Sequence, residues 1–216
     1  MRIAIMQPYF MPYAGYFRLM ADVDIFVVYD CVQFPRRGWV HRNKLTHANG
    51  SAEWLTLPLA KGDRDNTRIF DLQWADQAQA EWEKRLKEFP ILRAETPLMH
   101  DTSMLDLSPC DYLVRGLASV SSMLGFTCRF ERSSPLNIAP DIHGQDRILT
   151  IASHFDATHY VNAPGGKDLY QQEAFNERGI TLEFLPDYTG NYTSILERLL
   201  SEPAEAITSE IRANLN

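Results

Sequence analysis

The run R-I-A-I-M at Arg2–Met6, the segment Q-P-Y-F-M-P-Y-A-G-Y at residues 7–16 and D-I-F-V-V-Y at residues 24–29 decide the fold of this chain. The first and third are short, apolar and β-branched, and breakers bound them, so each reads as a strand. Between them, residues 15–21 leave room for about two helical turns. Strand, short helix and second buried strand together predict a parallel βαβ unit.

Working outward, residues 54–59 predict a further strand closed at Pro58, and residues 74–89 a helix carrying Ala78, Trp82, Leu86 and Phe89 on one side. Pro90 and Pro97 bracket a stretch read as irregular. Ser108 as N-cap, Pro109 at the first helical position and Gly125 as terminator predict a helix over 108–124. Strands are expected at 127–131, 158–162 and 180–185, with helices at 145–155, 167–178, 194–200 and 203–215. Such alternation predicts an α/β protein with a mostly parallel, Rossmann-like sheet and additional helices. No repeat, low-complexity tract or linker divides residues 1–216, which read as one domain with a helical region at about 74–125.

Composition excludes several function classes. With 45% hydrophobic and 23% charged residues the chain is no candidate for disorder. Its net charge of −7 argues against unspecific nucleic-acid binding over the whole surface. Three distant cysteines form neither a zinc pattern nor a disulfide framework, which fits a reducing compartment. The histidines lack ligand spacing, so no metal is expected. No signal-peptide pattern and no apolar run of about 18 residues is present, so the expectation is a cytoplasmic protein without membrane insertion.

Ligands of parallel α/β sheets sit beyond the carboxyl ends of the strands, and three informative segments fall there. In the first, two prolines stiffen a turn bearing Gln7, Tyr13, Tyr16 and Gly15. Tyrosine supplies a stacking face and a hydroxyl, which suits either a site wall or packing beneath a turn. The second, residues 30–44, carries Asp30, Gln33, Arg37, His41, Arg42, Asn43 and Lys44. Arginine and lysine there suit an anion, while Asp30 or His41 could serve as base. Cys31 reads either as a nucleophile beside basic residues or as a buried thiol. The third segment, N-A-P-G-G-K-D at residues 162–168, has Asn162, Gly165, Gly166 and Lys167 before an expected helix, a generic phosphate-cradling turn that lacks P-loop spacing.

The motifs I-x-Q-P-Y-F-x-P-Y-x-G-Y-F (residues 5–17), D-x-F-V-x-Y-D-x-V-Q-F (24–34), R-G-W-x-x-R-N-K (37–44), W-L-T-L-P (54–58) and Y-V-N-A-P-G-G-K-D-L-Y (160–170) resemble the WbqC-like family. The likeness implies a place in O-antigen or other surface-polysaccharide synthesis, with transfer of glycine onto an amino sugar as the implied chemistry. One departure stands out: T-S-I-L-E at residues 193–197 puts Glu197 where the family usually has aspartate. The chain is also similar in one respect to HIGH-type nucleotidylyltransferases, because Y-A-G-Y at residues 13–16 lies where they carry H-x-G-H. Thr193 and Ser194 echo their late Ser/Thr-rich phosphate motif. Tyr13, Asp30 and His41 are therefore the expected catalytic residues, with the remaining site residues as substrate contacts. The expected substrate is a nucleotide-linked amino sugar. ATP and an activated acyl donor, aminoacyl-tRNA included, both stay open, as do an ATP-dependent ligase, a non-catalytic partner role and self-association.

Overall fold

The computed structural model describes residues 1–63 and 66–215. Five strands form one wholly parallel sheet: β1 (Arg2–Met6), β2 (Ile25–Val28), β5 (Arg129–Arg132), β6 (His159–Asn162) and β7 (Thr181–Phe184). Their spatial order is β5-β2-β1-β6-β7. The chain thus builds outward from β1 through β2 to β5, then crosses back and continues on the other side. The order reverses between β1 and β6.

Alternation along the strands sorts side chains onto two covered faces, which is why the sheet reads as near-continuous apolar runs. Ile3, Ile5, Ile25, Val27 and Tyr160 pack against α5 (Gly144–His154) and α6 (Gln172–Asn176). Ala4, Phe26, Val28 and Val161 belong to a larger core shared with α1 (Arg18–Asp22), α2 (Ala78–Leu86), α3 (Pro97–Ser103), α4 (Pro109–Met123), α7 (Ile195–Ser201) and α8 (Ala204–Ala213). The α4 caps are those expected. Ser108 Oγ accepts from Asp111 N at 3.2 Å, Pro109 opens the helix, and Gly125 leaves it at φ 71°.

The expected Rossmann-like α/β architecture is present, with three local corrections. Residues 42–46 form β3 (Arg42–Thr46), which pairs antiparallel with β4 (Ala52–Thr56) in a hairpin separate from the main sheet. Arg42, Asn43 and Lys44 therefore lie on a strand and not in a loop. Pro97 starts α3, because Thr96 Oγ1 caps Met99 N at 3.2 Å and proline is acceptable at the first helical position. Finally, the helix expected over 167–178 is confined to the shorter α6. A six-residue 3-10 turn covers Pro164–Leu169, and α6 follows after a break.

Candidate active site

The turn after β1 is held from three directions. Met11 sits at φ 42°, a conformation that a non-glycine residue keeps only when its surroundings enforce it. Asn43 Nδ2 donates to the carbonyls of Phe10 (3.2 Å) and Met11 (2.5 Å), and Ser194 Oγ donates to Met11 O at 2.7 Å. Phe10 N donates to Trp39 O, and Ile195 N to Pro12 O. Asn43 is thus buried as a brace between β3 and the turn. Tyr16 is buried as well, its hydroxyl donating to Gln7 O at 2.6 Å. Burial pushes the Tyr16 phenol well above its ordinary range, so it stays protonated.

Tyr13 is half-buried and belongs to an aromatic shelf. Its ring stacks on Tyr192 at 4.9 Å and meets Tyr188 at 5.3 Å. A backbone bridge pairs Tyr13 with Ser194, so the late Thr193–Ser194 segment lies directly against the Y-A-G-Y turn. Tyr192 is 65% exposed and forms the outer rim.

Asp30, two residues beyond the end of β2, has no exposed surface. Its Oδ1 accepts from Ser133 Oγ (3.0 Å) and Ser134 N (2.8 Å), while Oδ2 accepts from Arg132 Nε (2.6 Å) and Ser134 Oγ (2.8 Å). Both oxygens are fully occupied. Cys110 completes the cluster, accepting from Arg132 Nη2 at 3.0 Å, and burial pushes its thiol up to about 12. Cys31 is buried beside Arg147, whose Nη1 lies 3.4 Å from its sulfur.

Beyond Asp30 the chain forms a ribbon with residues 67–70: Phe34 N donates to Thr67 O, Ile69 N to Val32 O and Phe70 N to Asp30 O. Two cavities flank it. One, of about 530 Å³, is lined by His41, Phe34, Arg36, Lys61, Gln73 and Arg85 among others. That volume suits a small molecule. The other, of about 460 Å³, lies at the start of α5 and is lined by Tyr29, Gln33, Arg68, His143 and Arg147.

His41 stands edge-on to Phe34 at 5.0 Å, and its Nδ1 is buried with no hydrogen-bond partner. Burial first and the neighbouring Arg42 second lower the imidazole to about 4. It is neutral at pH 7. The linkage sign follows from the lowered value. Between about pH 6.5 and 4 the unfolded chain binds a proton that the folded chain refuses, so stability falls as pH drops through that window. Wild-type protein should lose about 1–2 kcal/mol more than His41→Gln between pH 7 and about pH 5 in denaturant titrations. Parallel pH dependence of the two proteins would refute this.

The outer face of the β3–β4 hairpin gathers the basic residues differently. Arg42 lies over Trp54 at 4.1 Å, with its Nη2 on Arg37 O (2.9 Å) and its Nε near Gly38 O (3.4 Å). Lys44 Nζ stands 5.3 Å from the same indole, and Trp39 lies 5.1 Å from it, centroid to centroid. Glu197 accepts from Thr46 N and Oγ1 at the far end of β3.

In the third segment Asn162 is buried, with its Oδ1 accepting from Ala163 N at 2.8 Å. Gly166 is confined, since a Cβ there would fall 2.3 Å from Asn162 Nδ2, whereas Gly165 faces open space. Lys167 is exposed in the last turn of the 3-10 segment. The structure therefore brings Asn43, Tyr13 and Gln7 together around one turn. It puts Arg42 and Lys44 on the hairpin, with the Arg37 carbonyl against Arg42, and leaves His41 in a separate cavity. Arg132, Ser133, Ser134, Trp39, Trp54, Tyr188 and Tyr192 were not among the expected site residues. The two tryptophans had a signal in W-x-x-R and W-L-T-L-P; the Asp30 partners, more than 100 positions away, had none.

The profile of the WbqC-like protein family matches residues 7–198, which contain the turn, the hairpin, both cavities and the Ser194 contact. The chain belongs to the WbqC-like protein family. This WbqC-like chain is 28% identical over 200 residues to an uncharacterized protein of Mycobacterium tuberculosis, covering 88% of the present chain and 83% of the other. No solved structure matches it significantly. Among its described residues no helix is long and apolar enough to cross a membrane.

Proposed function

We propose that the chain transfers an acyl or aminoacyl group, glycine foremost, from an activated donor to the amine of a nucleotide-linked sugar in surface-polysaccharide synthesis. The observation that carries this reading is the reversal of strand order between β1 and β6, beneath the Tyr-rich turn and the Gly165–Gly166–Lys167 segment. Parallel sheets bind nucleotides at such a reversal. The polysaccharide setting is what family membership implies.

In the reaction the neutral amine attacks the acyl carbon, a C–N bond forms, the bond from that carbon to the donor's leaving group breaks, and the amine proton passes to a base. His41 supplies a neutral imidazole in a cavity of suitable size. Tyr13 offers a hydroxyl at the reversal, and Lys167, Arg37, Arg42 and Lys44 offer positive charge for phosphates. Asp30 enters as a positioning residue, since both its oxygens hold Arg132 and residues 133–134.

A second reading, activation of a carboxylate by ATP, is favoured by one observation. The Thr193–Ser194 segment sits on the Y-A-G-Y turn, so the two stretches that resemble HIGH-type motifs adjoin. Mass spectrometry of nucleotide amino sugars incubated with glycine donors, with and without ATP, separates the two. Addition of one glycyl group without ATP supports transfer from an activated donor; addition only with ATP, with pyrophosphate or ADP released, supports ligation. No mass change with any donor would refute both.

A further inference from the structure

The β3–β4 hairpin presents an unpartnered aromatic and cationic face. Trp39 and Trp54 are 46% and 38% exposed, and their rings adjoin at 5.1 Å and 50°. A single exposed apolar side chain is ordinary; here Trp54 on the hairpin and Trp39, three residues before it, set two partly exposed indoles side by side as a stacking platform. The strand register places Lys44 opposite Trp54 and Arg42 opposite Thr56, so both cations share the outward face with the indole. Leu45 and Leu55 point the other way into the core.

The face is organised in advance of any ligand. Arg42 is fixed between the carbonyls of residues 37 and 38 and the Trp54 ring, at 4.1 Å from its centroid. Lys44 reaches the same ring at 5.3 Å. Arg37, whose carbonyl accepts from Arg42 Nη2, is exposed. Among the described residues, Glu53 accepts from Ser51 Oγ and Glu197 is engaged by Thr46. Arg42 and Lys44 thus set two positive charges on the outward face of a chain whose net charge is −7.

We propose that this face binds single-stranded RNA, with unpaired bases stacking on Trp39 and Trp54 and the phosphates meeting Arg37, Arg42 and Lys44. Exposed aromatic rings interleaved with cations are what sequence-tolerant single-strand recognition uses. A duplex hides its base faces and offers nothing to the indoles. A neutral glycan would also stack on tryptophan but would gain nothing from three cations. The inference deepens the transfer reading by naming a single-stranded RNA end as the carrier of the acyl group. It rests on that reading for this role alone.

The test measures binding apart from turnover. Tryptophan fluorescence and anisotropy are followed with the whole protein and a CCA-ended RNA of about eight nucleotides, within the span such surfaces cover. Binding should quench fluorescence and weaken steeply with salt. Trp54→Ala and Trp39→Ala should each weaken it about tenfold or more, Trp54→Phe much less, and Arg42→Ala should reduce the salt slope by about one. Melting curves of each variant check the fold. The proposal is overturned by absence of binding at low salt, by equal affinity for a duplex, by stronger quenching from an oligosaccharide, or by a tryptophan-dependent change in oligomeric state. RNA binding without transfer from any donor would defeat the transferase reading and leave this one standing. Transfer from a thioester without RNA binding would do the reverse.

Discussion

Asp30→Ala is expected to destabilise the fold by about 3 kcal/mol, because breaking a buried ion pair strands its partner charge. The estimate sits at the low end of the usual range since the Arg132 side chain retains 29% exposure and can recover some hydration. For a chain of this length that corresponds to a fall in melting temperature of roughly 6–12 °C. Five donors lose their acceptor at once: Arg132 Nε, Ser133 Oγ, Ser134 N, Ser134 Oγ and the Cys110 thiol. Ser133 Oγ in turn accepts from the backbone N–H groups of Asp30 and Cys31, so the damage reaches the end of β2 itself. The pair should be coupled. Asp30→Ala with Arg132→Met ought to cost clearly less than the two single changes added together. A positioning role and a base role also diverge in kinetics. If Asp30 were the base, Asp30→Asn would abolish turnover in a protein that still melts normally. If it positions, loss of activity should track loss of stability. A melting temperature within about 2 °C of wild type for Asp30→Ala would refute the structural assignment.

The elements legible in the sequence are those whose burial repeats at short range. β1, β2 and β6 carry apolar residues on both faces because helices cover both sides of the sheet. β3 was hidden because only its inner positions are buried, and one of those two is Asn43, a polar residue kept inside by the Phe10 and Met11 carbonyls. α3 was hidden because proline, read as a breaker at residue 97, is equally a helix starter once Thr96 caps the first turn. The candidate site divides the same way. The segments after β1, β2 and β6 could be placed at strand ends from local pattern alone. Which of their side chains stay available could not, since this depends on contacts between distant parts of the chain. Asp30 finds Arg132, Met11 finds Ser194, and Thr46 finds Glu197, across separations of 102, 183 and 151 residues. Sequence spacing marks the neighbourhood. Three-dimensional packing decides whether a carboxylate there is free to take a proton.

Gly15→Ala shows how tightly the Tyr-rich turn depends on packing of this kind. A Cβ at Gly15 would stand 2.3 Å from Tyr13 Cε2 and 2.7 and 2.8 Å from Tyr188 Cγ and Cδ1, distances that no pair of carbons sustains. Tyr188 cannot retreat. It is only 5% exposed, and its hydroxyl donates to Glu210, which is itself paired with Arg198. Arg18 backs the Tyr188 ring at 5.1 Å while donating to the carbonyls of Gly15, Pro186 and Asn214. The Gly15 backbone must shift away from Tyr188, and Tyr13 must yield as well, although its backbone is bridged to Ser194. Its ring would swing off Tyr192, which is 65% exposed and has room to separate. The expected cost is about 1–3 kcal/mol, as for other overpacked sites, with altered near-ultraviolet circular dichroism from the displaced tyrosines. Gly165→Ala is the internal control, because nothing lies within 4 Å of its added carbon, and it should leave both stability and spectrum unchanged. If Gly15→Ala matched that control, the aromatic shelf would be looser than its geometry implies. If it instead lost stability but kept full turnover, Tyr13 would hold no catalytic role, and the reaction would belong to the His41 cavity.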